Sequence, residues 1–322
     1  MEQTKNRFLN QKRLTKYRQG SFYKQLVAKI FKYVLLTGLS FIILYPFIFK
    51  VSSTFMSKAD LADKTVNLIP RNPTLLNLQT VIENGGYFEA LFNTLLLSLV
   101  MGLLQMIACL VIGYGFGRFS FKGNKLIFAL VIFTMVIPSI TLEIPYFMFF
   151  RDFDFYGIFH LIFGQGIPTL DTYFPIIMLS VTGLGFKNGL YIFLFRQYFA
   201  SVPKELTEAA QVDGCGIFKT FLRIMMPQAR AMMLTVFLFG FAWQWTDSYY
   251  STTFFPNKNL LSTVVANAAT LPVNGLDTQA QTLLSGTLLN TASVLVALPL
   301  MIIYFIAQKR FVEGIESSGI VG

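Results

Sequence analysis

Few residues in this chain could carry chemistry. There is one histidine, His160, and there are two cysteines, Cys109 in an apolar run and Cys215 in a polar one. Neither a disulfide framework nor a Cys/His metal cluster is indicated, and both thiols read as inert. No serine, histidine and acid form a nucleophilic set, no GxxxxGK[ST] loop is present to cradle phosphates, and no GxGxxG follows a strand. An enzyme is therefore not expected: no catalytic residue, no metal ligand and no cofactor of its own. What remains is recognition. The stretch 241–250, FAWQWTDSYY, sets Trp243 and Trp245 beside Gln244, Asp247, Tyr249 and Tyr250. Such a mixture suits stacking on sugar faces while bonding hydroxyls, or an aromatic belt at a membrane interface. Asn93 and Asn290 are amides inside apolar runs, which either line a polar path or tie helices together. Lys187 and Glu143 are the ionisable groups of otherwise apolar stretches. Lys187 snorkels, meets a partner subunit or faces an acidic sugar. His160, with no partner in view, reads as a loop residue rather than a proton relay.

The chain's most distinctive polar stretch is 201–227, SVPKELTEAAQVDGCGIFKTFLRIMMP. It predicts a helix, a turn and a second helix. Pro203 suits a first helical position, and Glu205 and Glu208 favour the positive pole of the dipole. Leu206, Ala209, Ala210 and Asp213 fall on one face, where two alanines allow another surface to come close. Gly214 supplies the stop. Ile217, Phe221 and Ile224 then repeat at helical spacing while Lys219 and Arg223 stay polar, and Pro227 ends the second piece.

The order Glu208, Ala209, Ala210, three residues, Gly214, nine residues, Ile224, one residue, Met226, Pro227 resembles the EAA loop of ABC-importer permeases. Met226 stands where that pattern has leucine, a swap between apolar side chains of similar volume. The NPTLLNLQTVI segment and the terminal FVEGIESSGIVG resemble the carbohydrate-uptake branch of the same family. The resemblance implies the type I ABC-importer permease fold: an all-α membrane protein with six transmembrane helices and a cytoplasmic EAA coupling helix. It also implies that Glu208, Ala209, Ala210, Asp213, Gly214, Ile224 and Pro227 engage an ATPase. The implied partners are two ABC ATPase subunits that bind ATP and Mg, a second permease subunit, of a different sequence in this branch, and an extracytoplasmic solute-binding protein.

Composition agrees with a bilayer: 54% of residues are hydrophobic and 13% charged, against roughly 25% charged in soluble domains. Residues 1–32 form a basic cytoplasmic tail, partly disordered in expectation, and 33–50 the first transmembrane helix, built on the uncharged run 33–49. Residues 51–91 read as a mostly polar extracytoplasmic loop. The core, 92–308, offers uncharged or nearly uncharged runs at 92–117, 126–150, 174–195, 231–246 and 284–307, and 309–322 close as a cytoplasmic tail. Gly113 and Gly117 stand at GxxxG spacing for close helix contact, and Pro138 and Pro145 interrupt the third run. Most of the 26 Lys and Arg fall in the tails, the 118–125 turn and the 201–227 stretch. The positive-inside rule then puts both termini and that stretch in the cytoplasm of an inner-membrane protein, and accounts for the net charge of +10 without nucleic acid.

Function follows as an expectation: the pathway half of an ATP-driven importer for a sugar or oligosaccharide. The alternative is a six-span secondary transporter or channel driven by an ion gradient, for which Lys187 and Glu143 would be the working ionisable groups.

Overall fold

The structure is a computed structural model that describes the backbone of residues 2–185, 187–273 and 277–317, with side chains described over 23–308 apart from residue 139 and those gaps. Helix α1 (Glu2–Thr54) leads through the short α2 (Lys58–Ala62) and α3 (Leu76–Glu83) to the long α4 (Tyr87–Arg118). Then come α5 (Asn124–Thr134), α6 (Ser139–Arg151), α7 (Ile158–Phe163), α8 (Phe174–Val181) and α9 (Asn188–Ser201). A polar stretch holds α10 (Glu205–Val212), α11 (Ile217–Thr220), a π-turn (Phe221–Met225) and α12 (Met226–Gln228). The chain continues as α13 (Arg230–Trp245), α14 (Tyr249–Phe254), α15 (Leu261–Asn267) and α16 (Thr278–Ser317). Among the described residues the one β feature is a bridge between Phe153 and Ile167.

The bundle is built on α4. Its Leu97, Met101, Gln105, Cys109 and Gly113, four residues apart, lie on one buried stripe. Glu89 in its first turn and Arg118 in its last suit the helix dipole. Two glycine seams let backbones approach. A Cβ on Gly113 would stand 2.4 Å from Phe195 Cβ and 3.0 Å from the Arg196 nitrogen of α9. On another face Gly102 meets Gly240 of α13, whose own Cβ would lie 3.2 Å from the Gly102 Cα. The GxxxG reading of Gly113 and Gly117 therefore describes the α4–α9 contact.

Helix α16 contains Pro299, which cannot donate to the carbonyl of Leu295 one turn earlier. The Tyr87 hydroxyl donates to that carbonyl at 2.9 Å, and Trp245 Nε1 donates to the next, Val296, at 3.0 Å. In lipid such a substitute is required, because water is absent to do it.

Several expectations about element limits are corrected. Helix α1 begins at Glu2, so the tail is helical rather than partly disordered; its Lys, Gln, Arg and Leu are good helix formers. The part of α1 with described side chains, Tyr23–Thr54, is long enough to cross a membrane and contains the uncharged run 33–49. The 51–91 connection is ordered: buried Asp60 accepts from the Asn72 backbone at 3.0 Å and side chain at 3.1 Å, and Asn77 donates to the carbonyls of Thr54 and Met56 at 2.9 Å each. The runs 126–150 and 174–195 are not continuous helices but are broken at 135–138 and 182–187. Pro138 lacks an N–H and disfavours helix in the residue before it, whereas Gly183 (φ +78°) and Lys187 (φ +63°) take left-handed backbone that no α-helix contains. Among the described residues three helices, Tyr23–Thr54, Tyr87–Arg118 and Thr278–Gln308, are long and apolar enough to cross a membrane, and a fourth if Ile217–Gln228 and Arg230–Trp245, bent by 75°, count as one. The side chains of the 309–322 tail, with its FVEGIESSGIVG resemblance, lie outside the described residues.

Candidate functional site

Two places gather the predicted residues: an elbow at α10–α11 and a cavity at the helix breaks. In the elbow, α10 is closed by Gly214 at φ +76°, with Gly214 N–H donating to the Gln211 carbonyl at 3.0 Å and Cys215 N–H to Ala210 at 2.9 Å. This is a left-handed glycine stop; nothing lies within 4 Å of a Cβ built there, so the glycine is needed for its backbone angle and not for space. Glu208, Ala209, Asp213 and Gly214 are exposed. Ala210 is not: it is 3% exposed and packs inward, so it is no part of an open docking face. The outward apolar residues are Val212, Ile217 and Phe218. Ile217 is exposed although it lies one ordinary helical turn before buried Phe221, and the π-turn over Phe221–Met225 inserts a residue only after that point, between Phe221 and Met226. Pro227 does not end the second piece. It sits in the first turn of α12, and the 75° bend falls after Gln228.

One contributor went unnoticed as a site residue. Arg118, counted above only as basic charge, donates through one terminal nitrogen to the carbonyls of Phe199 (3.4 Å) and Val202 (2.7 Å), and through the other to Pro203 (3.2 Å) and Thr207 Oγ1 (2.7 Å). It clamps the end of α4 to the entry of the elbow. Only an arginine fork has donors for so many carbonyls. An arginine ending a long apolar helix was the available signal.

The cavity, about 240 Å³, lies where α5 breaks into α6 and α8 into α9. Met135, Gly185, Lys187, Asn188, Trp243 and Tyr250 are among the residues lining it. Lys187 is thus at a helix break and not within a helix as expected. Its ammonium lies 4.8 Å from the centre of the Trp243 ring. Trp243 is 41% exposed, whereas Trp245 is core. Gln244 is buried and its Nε2 has no partner among the described residues; Asn188 Oδ1 is in the same condition. A larger groove, about 500 Å³, runs between α13 and α16, but its walls, Leu238, Phe239, Leu300, Phe305 and similar side chains, suit an apolar neighbour and not a sugar.

Other predicted residues stand elsewhere. Asp247 is 7% exposed and caps α14, accepting from the Ser251 N–H at 2.9 Å and hydroxyl at 3.1 Å, so it is structural here. Tyr249 is exposed and does not line the cavity. Asn93 donates to the Asn259 carbonyl at 3.0 Å and Asn290 to Ser53 Oγ at 3.1 Å, which is the helix-tying role. Glu143 accepts from Thr253 at 3.2 Å and joins α6 to α14. His160 is a loop residue but has acidic neighbours: its Nδ1 is 2.7 Å from Asp154 and its Nε2 3.7 Å from Asp152. Burial works against the Asp154 charge, yet the Phe159 N–H and the His160 ring outweigh it and hold the carboxyl below its ordinary range.

With this geometry described, comparison with known proteins identifies the chain. The profile of the binding-protein-dependent transport system inner membrane components matches residues 109–317, most of its length. The chain belongs to that family. Similar members of this permease family include the arabinooligosaccharides transport system permease protein AraQ of Bacillus subtilis (strain 168), 26% identical over 288 residues, 88% of this chain and 92% of that one. The maltodextrin transport system permease protein MdxG of the same organism is 26% identical over 300 residues, 92% and 98% of the two chains. Among solved structures, a bacterial ABC transporter involved in the import of the acidic polysaccharide alginate matches with a TM-score of 0.68 at 22% identity, covering 88% of this permease and 96% of that chain. At that identity the likeness is one of fold; the family match and these relatives make the chain a helical ABC-importer permease, a transport component and not an enzyme.

Proposed function

We propose that this permease forms half of the path by which an ATP-driven importer takes up a sugar or oligosaccharide handed over by a solute-binding protein. In this reading the chain crosses the inner membrane six times, with both termini, the 118–125 turn and the 201–227 elbow in the cytoplasm. Helices α5 with α6, and α8 with α9, each make one interrupted crossing. Such breaks are tolerated at membrane depth where they line a polar cavity. The segment boundaries are those drawn above: a tail 1–32, a first crossing 33–50 extended by the observed helix, a loop 51–91, a core 92–308 and a tail 309–322. The elbow docks on one of two ABC ATPase subunits, which bind ATP and Mg, and a second permease of different sequence completes the path.

The observation that carries this reading is the family match across 109–317, which spans the elbow and the cavity together. The named transport of oligosaccharides by relatives matched over most of their length supports a saccharide cargo. Glu208, Ala209 and Asp213 supply an exposed polar rim, and Val212, Ile217 and Phe218 an exposed apolar centre, the arrangement of a docking surface. An ion-gradient carrier is the weaker reading: the family works with binding proteins, and Glu143 and Lys187 are each held by a neighbour.

Co-purification tests the proposal. An ABC ATPase of the same importer, co-expressed with this permease, should be retained by the wild type and lost with Glu208→Arg or Gly214→Asp, while membrane insertion is unchanged. Retention and transport by both variants would remove the elbow from the coupling path.

A further inference from the structure

We infer that the cavity at the helix breaks is a subsite for an acidic saccharide, in which the Lys187 ammonium pairs with a carboxylate and the Trp243 ring stacks on the sugar bearing it. The assignment rests on the importer reading and names its cargo class. Three independent observations converge on it. First, the charge: Lys187 is the one ionised side chain among the described residues lining the cavity, and no carboxylate lines it. A cation at membrane depth is retained for a purpose, and an anionic cargo provides one. The lining residues Asn188, Gly189 and Leu190 are the first turn of α9, so the positive pole of a fourteen-residue helix adds to the same sign.

Second, the shape of the pair. The ammonium lies over one face of the Trp243 ring, 4.8 Å from its centre, and the ring is still 41% exposed, so cation and open aromatic surface are within reach of a single ligand. A uronate sugar has the matching layout, a flat C–H face and a carboxylate at its edge. A neutral sugar would use the ring and leave the cation in place.

Third, the incomplete amides. Asn188 Oδ1 and Gln244 Nε2 are buried without a partner among the described residues. Asn188 lines the cavity, and Gln244 lines a smaller one that shares Gly185 and Tyr250 with it. An acceptor and a donor left unmet cost free energy until something polar arrives, and sugar hydroxyls serve both. The volume of about 240 Å³ is below the roughly 300–1,000 Å³ of complete small-molecule sites, as suits one wall of a path shared between two subunits.

The test uses the assembled importer, this chain with its second permease, ATPases and binding protein, in proteoliposomes. The probes are labelled trigalacturonate and its carboxyl-reduced, neutral counterpart. Wild type should take up the acidic probe. Lys187→Met should lower that uptake by ~10-fold or more, the size of a lost charge-assisted bond, with Lys187→Arg restoring part of it. ATP hydrolysis should persist as evidence of assembly. Trp243→Ala should lower uptake of either probe that is carried. Uptake of the neutral probe alone by wild type, or acidic uptake unchanged in Lys187→Met, overturns the subsite and leaves the importer reading intact. No uptake of either probe by a complex that still hydrolyses ATP overturns both.

Discussion

Arg118 and Asp60 show how single polar side chains hold joints that hydropathy treats as punctuation. The Arg118 fork reaches the Phe199 carbonyl of α9, the Val202–Pro203 link and Thr207 of α10, so one guanidinium ties the end of α4 to the entry of the elbow. Under the coupling role proposed for the elbow, Arg118→Met should leave retention of an ATPase unchanged but lower transport per ATP hydrolysed by ~10-fold, with Arg118→Lys only partly restoring it because a point charge cannot bridge the same acceptors. Measuring uptake and hydrolysis on the same vesicles separates this from simple unfolding. Asp60 works on the opposite kind of joint. Burial disfavours its charge, but the N–H groups of Asn72 and Ser57 and the Asn72 amide overcome that and lower its pKa from 3.8. A carboxyl with a lowered folded pKa stabilises above its unfolded value and loses that contribution as pH falls through the folded one. Wild type should therefore resist proteolysis in the 51–91 connection better than Asp60→Asn at pH 7 and pH 5, and the difference should close only below about pH 4.

At the scale of elements, the α4–α9 seam makes a sharper forecast than the hydrophobic pattern could. Gly113 has no room for a Cβ against Phe195 and Arg196, while Gly115, two residues on, has nothing within 4 Å. Gly113→Ala should destabilise by about 1–3 kcal/mol, because the helices must part to admit a methyl group. Gly115→Ala, in the same helix, should be neutral or stabilising by up to about 1 kcal/mol. Thermal unfolding in detergent would rank the two; equal effects would mean that α9 does not approach at Gly113. The four prolines inside or bordering long apolar runs show why element limits were less legible than element existence. Pro46, Pro145 and Pro299 sit inside helices, and Pro138 ends a break. Sequence alone gives each the same defect, a missing donor. Whether the helix survives depends on what else meets the freed carbonyl, and for Leu295 that is a tyrosine more than two hundred residues earlier in the chain.

For the molecule as a whole, what the sequence made legible is what depends on composition and local backbone chemistry. The apolar helices, the elbow and its Gly214 stop, and the GxxxG contact could all be read, since each needs only neighbours along the chain. The cavity was half legible. Lys187 and Trp243 were each marked, but their meeting requires the break at 182–187, which a hydropathy window over uncharged residues averages away although Gly183 and Gly185 stand in it. Asp247 was read as a sugar contact because its role as a cap for α14 depends on a turn that no periodicity announces. Ala210 was placed by spacing on one face with Leu206, Ala209 and Asp213, but spacing gives relative faces and not which of those residues the rest of the protein covers.

The uninterrupted run of α1 has a consequence for biogenesis. Over 23–49 every described side chain is exposed, and the bonds that tie this helix to later segments lie at its end, where Ser53 meets Asn290 and the Thr54 carbonyl meets Asn77. Lipid tails are as good a neighbour for leucine as another helix is, and Pro46 is the one proline inside it that leaves a carbonyl without its helical donor. It is therefore able to settle in the bilayer while the ribosome is still making the remainder. Helices α5 with α6, and α8 with α9, are interrupted and have no such independence, because their open peptide groups must wait for companions that cover them.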